Sequence, residues 1–565
     1  MQKKSLNEYL DLVQNCIIDK DYIKCSDILE EAVDNYPDEH KLKLNLGNVR
    51  NSLGDYASAE KIYTSLINTS ENKLAHNNLS MMYLKQGDIK RSISHSTSAL
   101  SEDKEYHDAK YNLALALYEN KEYKKTIELC AELKHIDEYF NRSCELQYRA
   151  YQVSCDWTKY DEIINVLSKN EITVHPFLHI SLIMDESSNF VNAKNWSASF
   201  DIKNKNHDCK SKGRIRLGFL CGEIRNHPTF FLIKNMFKGI DKKKFELFLF
   251  TYNQEQNEIN YLKNDFSEII DLTNLGDSDA MANIKTYDLD IIIDLTTIIS
   301  HNRINLIDNE SASNVISYLA FPGTTANNIY DFIITDKIVT PEHKQEFYSE
   351  KFLYMPESYQ VNNGYKINSK NNRENYDISE DVFVLGCLNQ SFKLDPIFFN
   401  LWLNILKKCE SAILWLLNDN DEMISNIKSY ALNKIDLDRI IFADRVEYSR
   451  HLERIGIIDL ALDTRVYNGH TTSIEMIQAG VPVVTCMGDH FASRVSASIL
   501  KRLGLEELIA HNYTDYENKI VSLINDKELY NKIKLEINSK LNESSILKID
   551  KFSRDFSNLL EGLVK

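Results

Sequence analysis

Residues 460–485 read LALDTRVYNGHTTSIEMIQAGVPVVT. An apolar run from Asp459 to Thr464 predicts a strand and Arg465 to His470 a loop. Thr471 opens a helix that ends near Gly480, and a second apolar run, VPVVTC, follows. Strand, turn, helix and strand in this order make a βαβ unit of a parallel sheet. The first turn of a helix presents unpaired N–H groups and a partial positive charge, so this turn is a candidate phosphate site. Gly469 lets the backbone come close to a ligand, and His470, Thr471 and Thr472 stand beside it. Glu475 has two readings. It closes a capping box with Thr472, which the local pattern favours, or its carboxylate binds the hydroxyls of a ribose.

The same alternation surrounds this unit. VFVLGCLN (382–389), SAILWLLN (411–418) and RIIFAD (439–444) precede it, with helical stretches between them. Farther upstream lies an earlier series: RIRLGFLCG (214–222), FELFLFTY (245–252), LDIIIDLT (289–296), SNVISYLAF (313–321) and YDFIITD (330–336). The polar, asparagine-rich stretch 361–379 separates the two series and reads as a linker. Two Rossmann-like lobes follow, at 212–360 and 380–545, with ligands expected at the carboxyl ends of strands in a cleft. Residues 546–565 form an amphipathic helix able to cross back to the first lobe. Two more loops face the expected cleft. CLNQSFKLDP (387–396) offers Gln390 and Lys393, whose ammonium can neutralise a diphosphate. EIRNHPTFF (223–231) places His227 at the rim, where an imidazole can exchange protons near neutral pH.

The amino-terminal part obeys a different rule. Asp-Tyr at 21–22, Asp-Tyr at 55–56, Asp-Ile at 88–89 and Glu-Tyr at 122–123 recur at spacings of 34, 33 and 34 residues, the tetratricopeptide period. Cys25, Ala59, Ser92 and Thr126 share one position, small enough for two helices to approach; Val13, Gly47, Ser80 and Ala114 share the facing one. Residues 1–140 therefore read as about four repeats in a right-handed stack, and 141–211 as a helical connector. Asn45, Asn78 and Asn112 fall at one repeat position, where amides along a concave face can hold an extended acceptor peptide.

A chain of 565 residues with 43% hydrophobic and 26% charged content is an ordinary globular sequence. Its net charge of -17 argues against a general nucleic-acid or anionic-membrane surface. Ten scattered cysteines without a CxxC are expected reduced and mostly buried, and no apolar run reaches membrane-span length. A cytoplasmic location is the default expectation. His451 and His470 lie on separate loops, so no metal site or metal cofactor is expected, and no GxSxG elbow supports a hydrolase.

Together these segments resemble the O-linked N-acetylglucosamine transferase family, which joins tetratricopeptide repeats to a two-lobed GT-B catalytic region. The resemblance rests on RNHPTFF (225–231), AFPGTTANNIYDFIITD (320–336), YSEKFLYMPES (348–358), CLNQSFKLDP, ILWLL (413–417), RIIFADRVEYSRHL (439–452), the opening stretch and ASRVSASIL (492–500). It implies an α plus α/β chain: a tetratricopeptide solenoid, then a GT-B inverting glycosyltransferase. The donor implied is a nucleotide sugar, UDP-GlcNAc first, and the partners are acceptor proteins bound through the repeats. Gln390 and Lys393 match residues holding the diphosphate, and His470, Thr471 and Thr472 the phosphate turn. Glu475 matches a ribose ligand, Val446 and His451 match residues at the base, and His227 matches a histidine of the catalytic rim. Departures are Phe230 and Phe231 in place of a second rim histidine, Tyr448 in place of a nucleotide-contacting lysine, and TTIISHNR (296–303) in place of a Gly-His-Thr loop. Only a short polar linker stands where the animal enzymes carry a large insertion. A GDP-fucose or UDP-glucose transferase, or an inactive repeat scaffold, fits the same outline.

Overall fold

The computed structural model describes residues 4–18, 21–198, 213–299, 303–364, 367, 369 and 373–564. The chain forms two compact units, the first running to Tyr151 and the second beginning at Gln152. In the first unit, eight described helices make four antiparallel pairs: Leu6–Ile18 with Tyr22–Asn35, His40–Ser52 with Tyr56–Leu66, Asn72–Lys85 with Ile89–Glu102, and His107–Glu119 with Tyr123–Leu133. The recurring acidic residues have a local cause. Asp21, Asp55 and Asp88 each cap the second helix of a pair, accepting from the N–H groups of Lys24, Ser58 and Arg91. The small residues meet as the repeat requires. Ser80 Oγ lies 3.1 Å from Ser92 Oγ and Thr126 Oγ1 3.4 Å from the Ala114 carbonyl. A methyl group added to Gly47 would stand 2.6 Å from the Tyr63 ring.

The second unit carries two parallel sheets. Seven strands form the first: β1 Ile215–Cys221, β2 Phe245–Thr251, β3 Glu268–Asp271, β4 Leu289–Asp294, β5 Ala312–Ser317, β6 Phe332–Thr335 and β7 Lys351–Tyr354, in the order β3-β2-β1-β4-β5-β6-β7. Six form the second: β8 Phe383–Cys387, β9 Ala412–Leu417, β10 Ile440–Ala443, β11 Leu460–Leu462, β12 Val483–Cys486 and β13 Ile509–Ala510, in the order β10-β9-β8-β11-β12-β13. Each sheet starts at its centre and reverses direction there, the doubly wound order. Both faces of β4 are buried throughout, as a parallel strand with helices on either side demands.

Helix Ile549–Val564 returns to the first lobe. Ser553 Oγ donates to the Met236 carbonyl at 2.9 Å, and Lys244 pairs with Glu561 at 2.7 Å. The connector helices from residue 152 onward belong to this second unit. Nine described cysteines are unpaired and buried. Cys209, the carboxyl end of the expected connector, Ser300–Asn302 of the TTIISHNR loop and six residues of the expected linker lie outside the described residues. Among the described residues no helix is long and apolar enough to cross a membrane.

Candidate active site

β8 and β11 are neighbours at the centre of the second sheet, yet their connections leave in opposite directions. A crevice opens at such a switch point. It is lined by Cys387, Asn389, Asp463, Thr472 and Ser473. Asp463 organises it. One carboxylate oxygen accepts from the backbone N–H groups of Thr464 (2.9 Å) and Gly469 (2.7 Å), and the other from Thr485 Oγ1 (2.6 Å). Burial raises the Asp463 pKa against those hydrogen bonds. Asn389 accepts from Thr472 Oγ1 at 2.8 Å and so pins the helix start to the end of β8.

Lys393 closes a short 3₁₀ turn, Ser391–Lys393, and reaches back to donate to the Asn468 carbonyl at 2.8 Å. Its ammonium stands 4.7 Å from the Tyr467 ring centre. Burial lowers its pKa to about 8, with the charge of Asp463 opposing the fall. His470 stacks on the same Tyr467 ring, with centroids 4.9 Å apart. Burial drives the His470 pKa well below its usual value, and the Lys393 charge adds to that. The ring is thus neutral at pH 7. One nitrogen is engaged at the Ala492 backbone, while Nε2 is buried with no partner among the described residues. Nε2 therefore presents a lone pair, which suits a hydroxyl donor, or a phosphate once a proton is taken up. Helix Thr471–Gln478 has His470 at its N-cap without a side-chain cap bond, so its first N–H groups face the crevice uncapped. A cation, an orphaned imidazole nitrogen and the positive end of a helix dipole thus share one site.

Several expected roles change. The helix begins at Thr471, so Thr472 and Glu475 form no capping box. Glu475 instead accepts from Tyr448 OH at 2.5 Å and lies 3.7 Å from His451 Nε2. Gly469 is required by the protein itself: a methyl group there would meet Ser473 Oγ at 2.3 Å. Its N–H is held by Asp463 and its carbonyl by Ser496 Oγ at 3.0 Å, so its backbone is not offered to a ligand. His227 is the N-cap of helix Pro228–Ile233, its Nδ1 accepting from the Thr229 N–H at 3.3 Å. With Nδ1 accepting, the proton of a neutral ring lies on Nε2. Gln390 is exposed at the head of the Lys393 turn, and Val446 is half-buried in the loop before helix Tyr448–Arg454.

In the first unit the asparagines brace successive repeats. Asn78 Nδ2 donates to Asn48 Oδ1 at 2.7 Å and the buried Asn112 to Asn77 Oδ1 at 2.8 Å, which turns those donors toward the stack; Asn45 is half-buried. Residues that local patterns miss are Asp463, Asn389 and the connector. Gln152 Nε2 donates to the Phe392 carbonyl at 2.9 Å and Ser391 Oγ to the Val153 carbonyl at 2.7 Å, so the connector fixes the turn bearing Lys393. An acid ending an apolar strand, LALDT, is the one signal available for Asp463.

The model of Glycosyl transferase family 41 matches residues 179–370 and 366–556. The chain belongs to this family. A tetratricopeptide repeat model matches residues 78–139. Among curated relatives, a probable UDP-N-acetylglucosamine peptide N-acetylglucosaminyltransferase of Arabidopsis thaliana is 33% identical over 56% of this chain and 33% of its own length. The UDP-N-acetylglucosamine peptide N-acetylglucosaminyltransferase of Caenorhabditis elegans is 21% identical over 73% of this chain and 48% of its own. The chain thus spans between a third and a half of these relatives. A mutant O-GlcNAc transferase of Thermobaculum terrenum shares the fold, with a TM-score of 0.70, 19% identity, and coverage of 93% of this chain and 97% of that one. Among the described residues of this family 41 chain, no group of three or more His, Cys, Asp or Glu side chains could hold a metal ion.

Proposed function

We propose that the chain is an inverting glycosyltransferase that moves N-acetylglucosamine from UDP-GlcNAc to serine or threonine hydroxyls of proteins. The observation that carries this reading is the meeting of Lys393, His470 and the uncapped start of helix Thr471–Gln478 at the switch point of the second sheet. The donor class comes from the names of the relatives. In the reaction, the acceptor hydroxyl oxygen forms a bond to the anomeric carbon while the bond from that carbon to the diphosphate breaks; the diphosphate leaves with the electron pair, and the hydroxyl proton passes to water. Negative charge grows on the leaving phosphate, where the Lys393 ammonium and the helix N–H groups stabilise it. Each such donor contributes about 3 kcal/mol in comparable sites, and Lys393 holds the diphosphate before and during transfer, so Lys393→Ala should lower kcat/KM at least roughly 10²- to 10³-fold. Glu475, which His451 faces, and Val446, on the loop before helix Tyr448–Arg454, are assigned to the nucleoside end of the site. Gln390, at the head of the Lys393 turn, is assigned to the diphosphate. His227, the N-cap of helix Pro228–Ile233, is assigned to the catalytic rim. Acceptor polypeptides are assigned to the repeats, whose stacked helices present an extended surface.

The test is a panel of nucleotide sugars incubated with purified protein and host lysate, read by intact-protein mass. Gain of one N-acetylhexosamine supports the reading. Gain of a deoxyhexose or a hexose moves the donor to GDP-fucose or UDP-glucose. Binding of nucleotides without transfer or donor hydrolysis would make the chain a scaffold.

A further inference from the structure

The two lobes meet through a pair of rings. Phe231, on helix Pro228–Ile233 of the first lobe, lies parallel to Tyr448, the first residue of helix Tyr448–Arg454 in the second. Their centroids are 4.4 Å apart and their planes 9° from parallel, a stacked geometry. Tyr448 also donates its phenol proton to Glu475 Oε1 at 2.5 Å, and His451 Nε2 faces Oε2 at 3.7 Å. Glu475 is only 3% exposed. Both of its oxygens are therefore already faced by the protein's own side chains. A ribose diol that takes both oxygens finds no free one.

Resting on the reading of Glu475 as the nucleoside carboxylate, we infer that Phe231 and Tyr448 are an aromatic latch between the lobes. The Tyr448 hydroxyl is a stand-in for the donor's ribose hydroxyl, and a nucleoside diphosphate binds only by displacing it. Rotation of Tyr448 off Glu475 separates its ring from Phe231, so nucleoside entry and this lobe contact exclude one another. A second tie keeps the lobes together meanwhile. Gln478, at the end of the same helix as Glu475, donates to the Asn363 carbonyl at 2.8 Å, and Asn363 in turn donates to the Leu232 carbonyl at 3.1 Å. The latch makes Tyr448 and Phe231 positioning residues: they set how tightly the site holds nucleotide through Glu475, without touching the reacting atoms.

Calorimetric titration of the full chain with UDP and with GDP tests this. Tyr448→Phe keeps the ring and removes the competing hydroxyl. It should bind the preferred nucleotide about tenfold tighter, the effect of freeing one charged hydrogen-bond acceptor. Phe231→Leu, which releases the ring from the other side, should also tighten binding, and melting curves check that both variants fold. A role confined to packing predicts no gain of affinity in either. If both bind as wild type or more weakly while Lys393→Ala abolishes binding, the latch is wrong and the donor site stands. If neither nucleotide binds wild type or the variants, the latch falls together with the donor reading.

Discussion

Raising the pH from 7 to 9 should weaken nucleoside diphosphate binding by about tenfold, and Lys393 should be the cause. Burial lowers the pKa of this lysine to about 8 in the free protein. About ten in eleven molecules then carry the ammonium at pH 7, and about one in eleven at pH 9. A bound diphosphate restores the charge, so affinity follows the protonated fraction and falls about tenfold over that window, with proton uptake on binding. The second phosphate pKa is near 6, so the ligand does not titrate there. Stability of the free protein runs the opposite way. Between about 8 and about 10.4 the unfolded chain binds the extra proton, so this group's contribution to stability rises with pH and is lowest below 8. Titration calorimetry at pH 7, 8 and 9, in buffers of different ionisation enthalpy, reads both affinity and proton uptake. Lys393→Arg stays charged throughout and should flatten the profile. Affinity independent of pH in wild type would refute the argument. So would an equal slope in wild type and Lys393→Arg, which would assign the proton to His470 Nε2.

Gly469→Ala should cost about 1–3 kcal/mol in urea denaturation, because its methyl group is driven onto Ser473 Oγ, and Ser473→Ala in the same chain should recover most of the loss. His227→Ala should lose about 1 kcal/mol of stability with its helix cap. His227→Asn should keep the cap but not the rate, and a normal kcat in the asparagine variant would leave His227 a cap alone. Asn112→Ala removes the 2.8 Å bond to Asn77 and should lower the stability of the repeat unit by about 1 kcal/mol in thermal melts, since a buried partner is left unpaired.

What the sequence could announce depends on which side of a sheet each strand occupies. β4 and β5 are legible in LDIIIDLT and SNVISYLAF because strands inside a parallel sheet need apolar residues on both faces. The strands without such a run, β3, β7 and β13, all lie at sheet edges. β3 and β7 are buried on one side at most, and β13 is two residues long. The repeats are legible for the converse reason, since every contact between paired helices recurs at a fixed short spacing.

The site divides along the same line. Its phosphate end is local: a helix start follows a strand within a few residues, and the unpaired N–H groups come with the geometry of any helix. Its nucleoside end is not. Tyr448 reaches Glu475 from another element of the second lobe, and Phe231 reaches Tyr448 from the other lobe. A capping box needs only four consecutive residues, so the sequence by itself favours it for Glu475. The helix instead starts at Thr471, which removes the box, and the fold brings the half-buried Tyr448 phenol to 2.5 Å from that carboxylate. Asp463 joins both kinds of partner: the N–H groups of Thr464 and Gly469 come from its own turn, which the sequence shows, and Thr485 comes from the next strand of the sheet, which only the fold supplies.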